Sequence, residues 1–136
     1  MIREIMRDTF FLHQKSISAT PLDKPIAMDL LDTLKAHADE CVGMAANMIG
    51  VVKCIIAVNL GPVNMVMFNP KITKQKGPYK TAEGCLSLTG QRNTQRYKKI
   101  EVEFQDMDFQ KQKLTFNGFP AQIIQHEIDH LQGILI

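Results

Sequence analysis

His126 and His130 stand four positions apart, with Glu127 between them, in the stretch Gln125-His126-Glu127-Ile128-Asp129-His130. On a helix, residues i and i+4 share one face, so both imidazoles can reach a single cation. Glu127, next to the first imidazole, is placed to manage the proton of a water on that cation. This is the HExxH arrangement of zinc-type hydrolases. Two histidines on an exposed helix could equally be solvated. Here Phe119, Ile123, Ile124, Ile128 and Leu131 recur at helical spacing around the pattern, so this helix must face a core. A third ligand is then needed, and Cys85 in Glu83-Gly84-Cys85-Leu86-Ser87 is the candidate. Two imidazoles and one thiolate suit Zn2+ or Fe2+ and leave a position open for water. Cys85 lies 41 residues before His126, so a sheet has to bring it to the helix.

The elements that must do this can be read from patterning. With 136 residues, 45% of them apolar, residues 1–136 form one domain around one core. The net charge of +2 gives no reason to expect nucleic acid. No apolar run approaches the ~20 residues of a membrane span, and the N-terminus reads as neither signal nor transit peptide. Cys41, Cys54 and Cys85 show no disulfide spacing, which fits a reducing, cytoplasmic setting. Residues 1–20 read as an extended arm. Asp23 is placed as an N-cap for an amphipathic helix from Pro25 to Cys41, with Ile26, Leu30, Leu31, Leu34 and Ala38 on one face. Residues 43–50 are rich in small side chains. Val51–Asn59 reads as a buried strand, followed by a turn at Leu60-Gly61-Pro62 and an apolar stretch from Val63 to Phe68. Lys71–Lys80 reads as an edge strand or loop. Ile100, Val102 and Phe104 alternate with polar residues, and Gln112–Phe116 returns after a turn as a hairpin partner. The last helix begins near Gly118 and stops at Gly133. The order predicts an α+β fold: a mostly antiparallel sheet packed around the HExxH helix, with an N-terminal amphipathic helix.

At these residues the chain resembles the peptide deformylases. Gln125 to Gly133 matches that family's Gln-His-Glu-x-Asp-His-Leu-x-Gly motif in full, and Glu83 to Ser87 matches Glu-Gly-Cys-Leu-Ser. The resemblance implies that Cys85, His126 and His130 ligate one divalent metal, Fe2+ in the cell and Zn2+ or Ni2+ after purification. It implies hydrolysis of the formyl group from N-formylmethionyl peptides and nascent chains in the bacterial cytoplasm. A water activated by the metal attacks the formyl carbon, and Glu127 carries the proton to the leaving amine. The backbone N–H of Leu86 and the glutamine of the first motif hold the oxyanion. Val42, Gly43 and Gly84 offer backbone to an extended peptide. Phe119 and Ile123 line the methionine pocket, and Arg92 lies near the substrate's distal end. Glu83 and Asp129 orient the ligands. The family's additional C-terminal helix, linked to ribosome docking, is not matched, so any ribosome contact would use another surface.

The first motif is matched only in part. Cys41 stands at its first glycine and Met48 at its glutamine. A thioether offers no hydrogen-bond donor. Loss of one oxyanion donor typically costs on the order of 10²–10³ in rate. The expectation is therefore a slow deformylase; the alternative is an impaired paralogue that keeps metal and peptide binding. An ordinary HExxH endopeptidase is disfavoured by Glu83–Ser87.

Overall fold

The computed structural model describes residues 1–136. Ile55–Asn59 is apolar at nearly every position because it is covered on both faces. Ile55 and Ala57 pack in one cluster with Leu30 and Leu34, while Ile56 and Val58 pack in another with Ile123 and Ile124. This strand, β2, lies between β1 (Gly43–Ala45) and β3 (Asn64–Cys85). β4 (Leu88–Gln105) and β5 (Lys111–Asn117) complete one antiparallel sheet of order β1-β2-β3-β4-β5. Helix α2 (Lys24–Ala36) covers one side, and α3 (Gly118–Leu131) the other. The fold is the expected α+β sheet around the C-terminal helix.

Several boundaries differ from expectation. The arm contains a four-residue helix, α1 (Thr9–Leu12), capped by the Asp8 side chain, which accepts from the Phe10 N–H. Asp23 stands at the N-cap position of α2, as expected, but its side chain makes no capping hydrogen bond to that helix. It closes a 3-10 turn at Pro21–Asp23, and its carboxylate accepts from the Thr20 N–H. α2 stops at Ala36 rather than Cys41, although Ala38 and Cys41 continue the helical spacing. The chain must leave the helix so that Val42 can accept from the Asn59 N–H and Gly43 can enter the sheet opposite Val58. Val51–Lys53 lies before β2, which starts only at Ile55.

Lys71–Lys80 belongs to β3, which pairs with β2 only as far as Phe68. Beyond that point β3 pairs with β4 alone; β5 flanks β4 only as far as Lys99, and from Pro78 to Cys85 the strands form a two-stranded ribbon. The ribbon reverses between Cys85 and Leu88, and this delivers Cys85 to α3. α3 ends where Gly133 takes φ +77; a Cβ there would overlap the His13 carbonyl oxygen, so the arm passes directly against the helix end. No helix is long and apolar enough to cross a membrane.

Candidate active site

Phe119, Gln122, Ile123, His126, Glu127 and His130 recur at three- and four-residue steps, so α3 presents them as one stripe. The ribbon brings Cys85 to this stripe. Its Sγ lies 3.4 Å from His130 Nε2, and His130 Nε2 lies 3.0 Å from His126 Nε2. The three ligand atoms all fall within 4.8 Å of one another. Tetrahedral bonds of ~2.0–2.3 Å to a common cation would separate N and S ligand atoms by roughly 3.3–3.6 Å. The observed spacing, with no protein group between the atoms, fits one cation held by two imidazoles and a thiolate. His126 Nε2 and His130 Nε2 face each other at hydrogen-bond distance. Burial opposes charge on His126, but hydrogen bonding to Cys85 and Glu83 outweighs it and pushes its pKa up to about 10. Burial, reinforced by the charge on His126, holds His130 down at about 3, so it stays neutral.

A polar network orients the first ligand. Glu83 Oε1 lies 2.8 Å from His126 Nδ1, which turns Nε2 toward the ligand cluster. Arg96 donates from Nε and Nη2 to Glu83, and from Nη1 to Asp129 at 2.6 Å. Gln122 Nε2 donates to Glu83 Oε2 at 2.8 Å. Burial works against an ionised Glu83, but these three partners hold its carboxyl down at about 2. Asp129 therefore acts through Arg96 and contacts no ligand itself, whereas Glu83 acts directly. The Gln125 side chain both accepts from the N–H and donates to the carbonyl of Tyr97, each at 2.8 Å, docking α3 on the edge of β4. Asn47 Nδ2 donates to the His130 carbonyl at 3.0 Å.

Glu127 lies on the cavity side of α3, and its Oε1 is buried with no hydrogen-bond partner. Burial raises its pKa to about 7, so the carboxylate can both take and release a proton near neutrality. Gly43 is packed against it. A Cβ on Gly43 would sit 2.9 Å from Glu127 Oε2 and 2.8 Å from Ile123 Cγ2. Only glycine lets β1 come this close to the helix.

A cavity of ≈ 700 Å³ opens beside this carboxylate. Val42, Gly43, Met48, Gly84, Cys85, Leu86, Phe119, Ile123, His126 and Glu127 line it, together with Cys41. Phe119 stands at the rim, 60% exposed, while Ile123 is 5% exposed and shared with the core. Met48 is 1% exposed; its Sδ accepts from the Ala45 N–H at 3.5 Å. His130 is in the ligand cluster but not on the cavity wall. Arg92 is not on the wall either: its Nη1 donates to the Thr89 carbonyl, and its Nε and Nη2 are buried without partners.

A family model described as polypeptide deformylase matches residues 2–136. A peptide deformylase from Clostridium beijerinckii is 53% identical over 136 residues, covering the whole of both chains. The chain belongs to the peptide deformylase family. A more distant peptide deformylase from Aquifex aeolicus is 36% identical over 118 residues, covering 82% of this chain and 69% of that one. The deformylase fold extends over the whole molecule. A peptide deformylase structure from Thermus thermophilus superposes with a TM-score of 0.86 at 32% identity, covering 99% of this chain and 83% of that one. A Met-Ala-Ser complex of the Acinetobacter baumannii deformylase gives 0.84 at 27% identity, covering 99% and 97%.

Sequence reasoning missed three residues of this deformylase site. Arg96 shares the two-residue alternation of Ile100, Val102 and Phe104, and is as buried as they are. Lys98, between Arg96 and Ile100 in that period, is exposed, so alternation alone does not single Arg96 out. Gln122 lies four residues before His126 on the same helical face, a signal hidden by attention to the apolar stripe. Asn47 had no periodic signal, since it sits in a 3-10 turn (Ala46–Ile49).

Proposed function

We propose that this chain removes the formyl group from N-formylmethionyl peptides by hydrolysis, releasing formate and a free amine, in the bacterial cytoplasm. The carrying observation is the buried, unpartnered Glu127 carboxylate on the cavity wall next to the Cys85, His126 and His130 ligand atoms. One divalent cation held by those three would supply Lewis acidity, activating a water and polarising the formyl carbonyl. Fe2+ is the proposed ion in the cell, on the family resemblance; a thiolate with two imidazoles suits Fe2+ and Zn2+ alike.

Glu127 takes the proton of the attacking water and delivers it to the nitrogen as the C–N bond breaks. The Leu86 N–H donates to the developing oxyanion. Met48, at the family glutamine, supplies no second donor. Val42, Gly43 and Gly84 flank the groove where an extended peptide pairs as an added strand. Phe119 and Ile123 receive the methionine side chain. Arg92, set apart from the cavity, would act only at the far end of a longer peptide. The Met-Ala-Ser complex of the Acinetobacter baumannii relative supports a methionyl peptide as the species left after deformylation.

The test is formate release from formyl-Met-Ala-Ser by the anaerobically prepared Fe2+ or Ni2+ protein. Slow turnover that rises in Met48→Gln is expected. Absence of formate from both proteins would overturn the proposal. Met48 also favours a second reading, a paralogue that binds metal and methionyl peptides without useful turnover. In that case Met-Ala-Ser would bind, but Met48→Gln would restore no activity.

A further inference from the structure

Two consecutive residues of the N-terminal arm each hold one side of the proposed oxyanion site. The Met6 N–H donates to the Met48 carbonyl at 2.7 Å, and Arg7 Nη1 donates to the Leu86 carbonyl at 2.7 Å. Leu86 opens the two-residue reversal between Cys85 and Leu88, 79 residues along the chain from Arg7. We infer that Arg7 is a positioning residue for the oxyanion: by fixing the Leu86 carbonyl it sets the orientation of the reversal whose N–H meets the developing charge. The inference rests on the deformylase reading above.

The reason lies in what Met48 removed. With a glutamine at that position, two donors would share the oxyanion, and a small tilt of one could be offset by the other. Here the Met48 sulfur is occupied by the Ala45 N–H and can donate nothing. Leu86 is left as the remaining donor of that pair, so its orientation carries more of the rate. A hydrogen bond from a guanidinium is roughly twice as strong as one between neutral groups. Both bonds of the arm start from adjacent residues, so the two sides of the groove are fixed relative to each other as well as to the sheet. Arg7 is exposed, and water competes for its donors. The effect is therefore smaller than deleting a donor outright.

The test compares wild type, Arg7→Ala and Arg7→Lys, all loaded with Ni2+, on formyl-Met-Ala-Ser. Arg7→Ala should lose on the order of 10-fold in kcat, a fraction of the loss from removing a donor, with KM unchanged. Arg7→Lys, which can still donate to the same carbonyl, should recover most of it. Amide hydrogen exchange at Leu86 in the metal-loaded, substrate-free protein gives an independent readout and should quicken in Arg7→Ala. An unchanged kcat, or equal losses in kcat and thermal stability with no rescue by lysine, would overturn the inference. If the wild type released no formate, the deformylase reading itself would fall. Leu86 exchange would then still decide whether Arg7 braces the reversal.

Discussion

The α3 wall of the groove and the wall formed by residues 41–48 with the Leu86 reversal face one cavity, but they are held by different forces. On the α3 side, His126, Glu83, Arg96, Gln122 and Asp129 form one buried network in which each charge is hydrogen-bonded. Removing Arg96 strands the Glu83 carboxylate, and removing Glu83 the Arg96 guanidinium, in a place with little water. On the opposite side, β1 and the 3-10 turn carry Gly43, Met44, Ala45 and Met48 with apolar packing and main-chain bonds. A glutamine replaced there by methionine leaves no orphaned charge in the resting protein. The loss would be felt only if an oxyanion developed beside it. Ligand sets should therefore be kept under selection for folding as well as catalysis, whereas transition-state donors can be lost without cost to stability.

The sharpest way to break the contrast is Glu127→Gln, which keeps shape and removes the proton carrier. Turnover should fall by up to ~10⁴ while metal content is unchanged. Turnover above a tenth of the wild-type rate would place the proton carrier elsewhere. Next in size is Arg96→Met. It leaves Glu83 and Asp129 without their cation, and breaking such a buried pair costs roughly 3–5 kcal/mol. Denaturant unfolding of the metal-loaded protein would measure it, and a loss under 1 kcal/mol would mean the network is ornamental. Met48→Gln on the other wall should raise kcat by about 10²–10³ and, because Met48 is 1% exposed and the new amide is buried, lower unfolding free energy by about 1–3 kcal/mol. Equal rates would show that the cavity already has a second donor.

Gly43→Ala probes where the two walls touch. Its methyl would press on Glu127 and Ile123, costing about 1–3 kcal/mol of stability and displacing the Glu127 carboxylate. The smallest effect concerns Cys41. Burial, aided by the charge of Glu127, pushes its thiol up to about 11 from the ordinary 9.0. At pH 8 its thiolate fraction should thus be roughly 100-fold below that of an unperturbed cysteine, and alkylation should be slower by the same factor. The rate should climb as pH rises through about 11. Peptide mapping after iodoacetamide treatment checks this, and rapid labelling at pH 8 would contradict it.

What could be read from the chain divides along the same line. α3 and β2 were legible because each packs an apolar pattern against a core: a helical stripe in one, a nearly continuous apolar run in the other. The grouping of Cys85, His126 and His130 was legible because their chemistry is unusual at that spacing. The end of α2 was not, since Ala38 and Cys41 keep the helical period and only pairing of β1 with β2 forces the chain out at Ala36. α1 has four residues, too few for any period to show. The outer ribbon of β3 and β4 is polar along most of its length, so alternation had little contrast to reveal. Arg96 was hidden for a related reason: in a polar stretch an inward-facing arginine looks like an outward-facing one.

The ligand set has a consequence in time. Cys85 emerges from synthesis 45 residues before His130, and α3, which carries both histidines, is the last regular element. At ~5–20 residues per second, the thiol waits roughly 2–9 seconds before its partners exist. During that interval the ribbon can pair, yet Arg96 and Glu83 have no helix to receive. Closure of the centre is therefore a late event of long-range contact rather than local folding, and such contacts form slowly. A chain synthesised in oxidising surroundings would meet its greatest hazard in those seconds, with the cysteine free to be oxidised before α3 docks.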